Sequence, residues 1–124
     1  MIDSKWNNFV SRLIECKKKN VVEKDYHSCI EFQLQLLGWT NFPKEINHKV
    51  NLPIGNHGSI QPDILIGIEP NWKFVIEVKR PNHVQTKKEC DQLTSYMRQL
   101  KLSIGIYIGE CIEIFYDRPS SCKI

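Results

Sequence analysis

Gln61-Pro62-Asp63-Ile64-Leu65 and then Val75-Ile76-Glu77-Val78-Lys79 are the stretches whose reading decides the fold. Side chains alternate across a strand, so Glu77 and Lys79 project from one face, while Trp72, Phe74, Ile76 and Val78 offer an apolar surface on the other. In the segment Ile60 to Ile68, the isoleucines 60, 64, 66 and 68 share a face and Asp63 projects from the opposite one. Glu69-Pro70-Asn71 has the composition of a short turn between the two strands. Antiparallel pairing through so short a turn brings Asp63 across from Glu77. Two carboxylates and a lysine then converge on one patch.

Upstream, Trp6, Phe9, Val10, Leu13 and Ile14 recur at the spacing of an amphipathic helix. This predicts an N-terminal helix over residues 1–20, capped by Asp3 or Ser4 and closed by Lys17-Lys18-Lys19, where cations suit the helix dipole. A second helix carries Tyr26, Ile30, Leu34 and Leu37 on one stripe and ends at Gly38, with Trp39 folded back behind it. After Pro43 the period changes. Ile46, His48, Val50 and Leu52 alternate as one strand, followed by a loop through Pro53, Gly55 and Gly58.

Downstream, Pro81 ends the strand of Glu77. A polar, helix-prone stretch from about Val84 to Leu100 carries Leu93, Met97 and Leu100 on one side. Leu102 to Ile108 and Cys111 to Tyr116 read as a hairpin about Gly109-Glu110. The order α α β β β α β β predicts an α/β (α+β) architecture, a central mixed β-sheet flanked by helices. Residues 1–124 are expected to form a single domain, with 117–124 as a frayed tail.

Composition narrows the function classes. A chain of 124 residues can bury a core without metal or disulfide staples. No apolar run approaches the roughly 18 residues of a membrane span, and Met1 to Lys5 lacks a secretory pattern. The five cysteines (Cys16, Cys29, Cys90, Cys111, Cys122) form no CxxC pair, and their odd number would leave one unpaired in a disulfide scheme. They read as reduced thiols of a cytoplasmic protein, most of them small core residues. The histidines His27, His48, His57 and His83 are spread without metal-ligand spacing; His48, on the apolar side of its strand, reads as a core or edge residue. A net charge of +3 is compatible with a nucleic-acid partner and does not prove one.

The patch itself has a chemistry. Two adjacent carboxylates repel unless a cation binds between them, and an oxygen-only donor set suits a hard divalent ion such as Mg²⁺. Such an ion polarises a phosphodiester and acidifies water. Lys79 can assist that water and neutralise charge developing on phosphate oxygens. Charges on strands are nevertheless often only a solvated face with cross-strand ion pairs, and spacing alone does not separate the two readings.

Pro62-Asp63, an interval of 14 positions, then Glu77-Val78-Lys79 on the next strand resembles the PD-(D/E)xK nuclease signature. "FVIEVKRPN", then "QLTSYMRQL" and a "GIYIG" strand, with "LLGW" before the first strand, is similar to the N-terminal nuclease domain of type I restriction-enzyme R subunits. The likeness covers roughly residues 22 to 116. It implies a restriction-endonuclease-like fold and a Mg²⁺-dependent endonuclease, a hydrolase of DNA phosphodiesters in restriction-modification or a related process, with Mn²⁺ as a substitute ion.

By the same resemblance Asp63, Glu77 and the Val78 carbonyl ligate metal, Lys79 assists the attacking water, and Glu23 on the second helix completes the site. Glu23 equally suits the positive end of its helix. Gln92 and Tyr96, one turn apart, match a Gln-x-x-x-Tyr pair that reaches the phosphate or supports Lys79; they also fit a plain helix surface. Arg80, Lys87, Lys88, Arg98 and Lys101 are candidates for DNA-backbone contact. The chain departs from type I subunits in having no GxxxxGK[ST] loop, so ATP hydrolysis and translocation are not implied. Expected partners are DNA and other restriction-modification subunits, with a homodimer left open. The alternative is a non-cleaving nucleic-acid-binding or regulatory domain that retains the nuclease fold.

Overall fold

The computed structural model describes residues 2–55 and 58–117. Two helices, α1 (Ile2–Lys19) and α2 (Glu23–Leu36), precede five strands, β1 (Ile46–His48), β2 (Leu52–Ile54), β3 (Gly58–Ile60), β4 (Ile64–Ile68) and β5 (Asn71–Val78). Helix α3 (Lys87–Gln99) then crosses to β6 (Ile104–Ile108) and β7 (Ile112–Tyr116). The main sheet runs β1-β4-β5-β6-β7, with β5 and β6 parallel and the other neighbours antiparallel. It is the mixed sheet with flanking helices expected from the sequence. A parallel pair needs a crossover connection, and α3 supplies it.

Both faces of the sheet are covered, which explains why Ile64-Leu65-Ile66 and Val75-Ile76 read as continuous apolar runs. Ile64, Ile66, Ile76, Val78 and Ile108 pack against Phe9, Leu13, Tyr26, Ile30 and Leu34 of α1 and α2. Leu65, Val75 and Tyr107 face Leu93 and Met97 of α3. The face that presents Asp63 and Glu77 is therefore not simply a polar one. It is apolar under α3 and polar only at the end where those carboxylates stand.

Several boundaries differ from expectation, each for a local reason. α1 already runs from Ile2, so Asp3 and Ser4 lie inside its first turn rather than ahead of it. The strand expected from Ile46 to Leu52 breaks at Lys49, whose φ is 49° and whose N–H donates to the Asp63 carbonyl. Leu52 passes instead into a separate β2–β3 hairpin, so Val50 and Leu52 do not continue the face of Ile46. The segment Ile60 to Ile68 divides likewise between β3 and β4. Five strands, not three, thus precede α3. Helix α3 starts later than Val84 because Thr86 caps it: Thr86 Oγ1 accepts from Glu89 N–H while the Glu89 carboxylate accepts from Thr86 N–H.

At the end of α2 the reading holds. Gly38 has φ +118°, with Gly38 N–H donating to Gln35 and Trp39 N–H donating to Leu34, the paired bonds of a glycine C-terminal cap. Asp117, placed in the frayed tail by the sequence, is tied down: its N–H donates to Ser103 and its carboxylate accepts from Arg98. Residues 118–124, including Cys122, lie outside the described residues, as does His57. Cys16, Cys29, Cys90 and Cys111 are free thiols; the first three are half-buried, whereas Cys111 is exposed and not a core residue.

Gly67 links the fold to the site. The β4–β5 register shifts at Ile66/Gly67, and Gly67 has φ +136°. A Cβ there would lie 2.5 Å from the Asn71 carbonyl oxygen. Gly67→Ala is expected to destabilise the protein by about 2–4 kcal/mol, combining left-handed strain and a backbone clash. A urea-unfolding midpoint unchanged from the parent would show that the bulge is not needed.

Candidate active site

Asp63 stands one residue ahead of β4. Ile64 pairs with Ile76, so continuing the antiparallel register sets Asp63 opposite Glu77. One Asp63 oxygen, Oδ2, accepts from Val78 N–H at 2.8 Å, and the two carboxyl groups lie within hydrogen-bonding reach of each other. Glu77 is pushed up to about 9, first by burial and then by the adjacent Asp63; Lys79 pulls the other way without winning. Asp63 is held down at about 2: burial opposes this, but His27, the Glu77 carboxyl and the Val78 N–H favour its ionised form. At neutral pH the pair therefore holds one proton. A divalent cation fits where that proton sits, because the donors are carboxylate oxygens and the pair needs positive charge between them. Asp63, Glu77 and the Val78 peptide are the residues that would hold it.

Lys79 follows Glu77 by two positions, and its N–H donates to Ile108 O at 2.9 Å, extending the ladder to β6. Its Nζ lies 3.9 Å from the Glu89 carboxylate. Glu89 is itself pinned, since it caps α3 through Thr86, accepts from Tyr107 Oη at 3.1 Å and meets His83 Nε2 at 2.9 Å. Burial opposes its ionisation, yet these bonds hold its carboxyl at about 2. A permanent anion thus positions the Lys79 ammonium. Thr86-x-x-Glu89 has the spacing of a capping box, a signal the reading from Val84 did not use, and nothing local showed that the same carboxylate would face Lys79. His83 is occupied by Glu89 in this arrangement.

On α3, Gln92 Nε2 donates to Tyr96 Oη at 2.7 Å. Burial raises the Tyr96 pKa, and the Glu77 and Asp63 carboxylates add to it, which places this hydroxyl in their field. Lys88, Gln92 and Tyr96 succeed one another at i, i+4 spacing, so Lys88 extends the same helix face. Of the other basic candidates, Lys87 pairs with Asp91 and Arg98 with Asp117, both on the exposed surface. No ion pair among the described residues engages Arg80, Lys88 or Lys101, all exposed.

From α2, the residue that reaches Asp63 is His27, not Glu23. His27 Nε2 lies 3.7 Å from Asp63 Oδ1, whereas Glu23, one turn earlier, makes no hydrogen bond or ion pair with the site among the described residues. His27 is buried, and burial alone would lower its pKa; the Asp63 and Glu31 carboxylates outweigh that and raise it to about 9. Glu31 and His48 are in direct contact beside it. The histidines described as lacking metal-ligand spacing are, for His27 and His48, brought together by the fold, and of the core and edge readings of His48 the edge one holds, since it is exposed at the end of the outermost strand β1. Sequence reasoning missed this cluster. The His27-x-x-x-Glu31 spacing on one helix face was its only local signal.

No helix among the described residues is long and apolar enough to cross a membrane. A comparison with curated proteins finds no match. The family model of the PD-(D/E)XK nuclease superfamily matches residues 12–109, most of the chain and every element that carries the patch. With a strand–turn–strand pair placing Asp63, Glu77 and Lys79 together beneath α3, the chain belongs to the PD-(D/E)XK nuclease superfamily.

Proposed function

We propose that this chain is a divalent-metal-dependent endonuclease that hydrolyses DNA phosphodiesters. One observation carries the reading: the β4–β5 register sets the Asp63 and Glu77 carboxyl groups opposite each other, with Asp63 Oδ2 held by Val78 N–H, at the sheet end where Lys79 follows. When bound there, Mg²⁺ or Mn²⁺ supplies the charge that polarises a phosphodiester and acidifies water. Asp63 and Glu77 are the side-chain ligands, with the Val78 carbonyl beside them. Lys79 Nζ, held by Glu89, orients the attacking water and offsets negative charge gathering on the phosphate oxygens. Gln92 and Tyr96 present a hydroxyl and an amide on the face that a phosphate would approach. Lys88, Arg80 and Lys101 neutralise neighbouring phosphates without reading bases.

The likeness to type I restriction subunits supports a restriction-modification role, in which companion subunits supply sequence recognition. The free thiols described above support a cytoplasmic setting. The test is cleavage of supercoiled plasmid, linear duplex and a matched RNA, with Mg²⁺, with Mn²⁺ and with chelator. Metal-dependent nicking or linearisation of plasmid that Asp63→Asn abolishes is the expected result. DNA binding without cleavage under every metal condition would favour the non-cleaving alternative.

A further inference from the structure

His27 is a buried imidazole with two unanswered nitrogens. Its ring sits between Asp63 at 3.7 Å and Glu31 at 3.9 Å, both too long for a hydrogen bond, and neither nitrogen has a hydrogen-bond partner. Buried polar groups in folded proteins are almost always satisfied, and an orphan calls for a physical reason. The Nδ1 side of the ring faces Glu31 Oε2, which also contacts His48 Nδ1. The His27, Glu31 and His48 donor atoms all lie within 4.8 Å of one another.

We infer that His27 Nδ1, a Glu31 carboxylate oxygen and His48 Nδ1 form a second cation site, one that takes a transition-metal ion of the Zn²⁺ class and is separate from the carboxylate pair. The donor types decide the ion. Two imidazoles and one carboxylate suit borderline transition metals, whereas Mg²⁺ prefers oxygen alone. The geometry is compatible, because four-coordinate ligands at roughly 2.0–2.1 Å from zinc stand about 3.3 Å apart. The 3.9 Å between His27 Nδ1 and Glu31 Oε2, within a donor set that spans no more than 4.8 Å, would have to shorten to that on binding. His27 and Glu31 share one face of α2 at i, i+4, and His48 comes from the end of edge strand β1, exposed enough to admit an ion.

The far ring nitrogen of His27 already has a carboxylate facing it. Metal-ligating histidines usually donate their other ring N–H to a carboxylate. Here Nε2 already faces Asp63 Oδ1, and Asp63 Oδ2 is bound by Val78 N–H. An ion on Nδ1 would therefore fix the His27 tautomer and orient Asp63 from behind. Charge is balanced as well, since Glu31 and Asp63 flank the ring on both sides. His27 is a positioning residue in this arrangement, and the inference concerns binding, not cleavage.

The experiment is Co²⁺ titration of the metal-stripped full chain in excess Mg²⁺, followed by visible absorption and equilibrium dialysis. The expected result is about one Co²⁺ per chain, with d–d bands and no near-ultraviolet thiolate absorption. His48→Ala and Glu31→Gln, each checked for folding by circular dichroism, should weaken binding by about 100-fold or more, the upper end of what outer-shell changes already produce. Glu77→Gln should retain it, which separates this site from the carboxylate pair whether or not the protein cuts DNA. The inference is overturned if His48→Ala and Glu31→Gln bind Co²⁺ like the parent. It is equally overturned if Glu77→Gln loses binding while His48→Ala keeps it, if thiolate bands appear, or if the parent binds no Co²⁺ at millimolar concentration.

Discussion

Glu77→Gln should abolish metal-dependent cleavage while making the metal-free protein more stable at alkaline pH. The two effects have one cause. Glu77 keeps its proton up to about 9 because it is buried against the ionised Asp63. Glutamine is uncharged at every pH and can donate to Asp63 as the protonated acid does, so it reproduces the metal-free pair. It offers no anionic oxygen to a cation. Losing a ligand that supports Lewis-acid polarisation removes several kcal/mol of transition-state stabilisation, and at about 1.4 kcal/mol per decade that is roughly 10³-fold in rate.

The stability effect has a definite sign. Glu77 binds its proton more tightly in the folded chain than in the unfolded one. Its contribution is therefore fully present below about 4.5 and is lost as the pH rises towards about 9. Glu77→Gln removes that loss, so its advantage over the parent should grow steadily across this window and be largest at the alkaline end. Asp63, held at about 2, keeps its contribution throughout and loses it only in stronger acid. Urea unfolding in chelator at pH 6, 7.5 and 9 measures this. Parallel pH curves for parent and variant would show that Glu77 holds no such proton. Mg²⁺ binding near pH 7 should also release close to one proton in the parent, and none in the variant.

Lys79→Ala separates the lysine from the ligands. An ammonium offers no lone pair to a cation, so the metal site should remain formed, and removal of a positive charge beside Glu77 should tighten it. Cleavage should still fall by roughly 10²–10³-fold, the usual worth of one placed electrostatic group. DNA affinity should drop only modestly, because one phosphate contact among several is lost. Lys79→Arg should recover binding better than cleavage, since guanidinium stays charged and does not exchange a proton with water at neutral pH. Single-turnover cleavage with saturating enzyme distinguishes these outcomes. A Lys79→Ala variant that cuts at the parent rate would remove this lysine from the mechanism.

How much of the site was legible follows from how local each part is. The convergence of Asp63, Glu77 and Lys79 depended on strand alternation and one short turn, and both are properties of adjacent residues. Gly38 and the apolar stripe of α2 are legible for the same reason: each satisfies backbone groups or a helix face within a turn or two.

The amino-acid sequence by itself thus determined the helices, the β4–β5 hairpin, and the side of it on which the acidic patch stands. Only the tertiary structure decided what surrounds that patch. It set His27 rather than Glu23 against Asp63, joined His48 to Glu31 across 17 positions, and turned a helix cap at Glu89 towards Lys79. It also split the expected strands at Lys49 and beyond Ile60. The strand breaks have local causes, but the three contacts share one. Each depends on the angle at which α2 and α3 pack over the sheet, and that is fixed by the summed burial of Ile30, Leu34, Leu93 and Met97, not by any spacing along the chain.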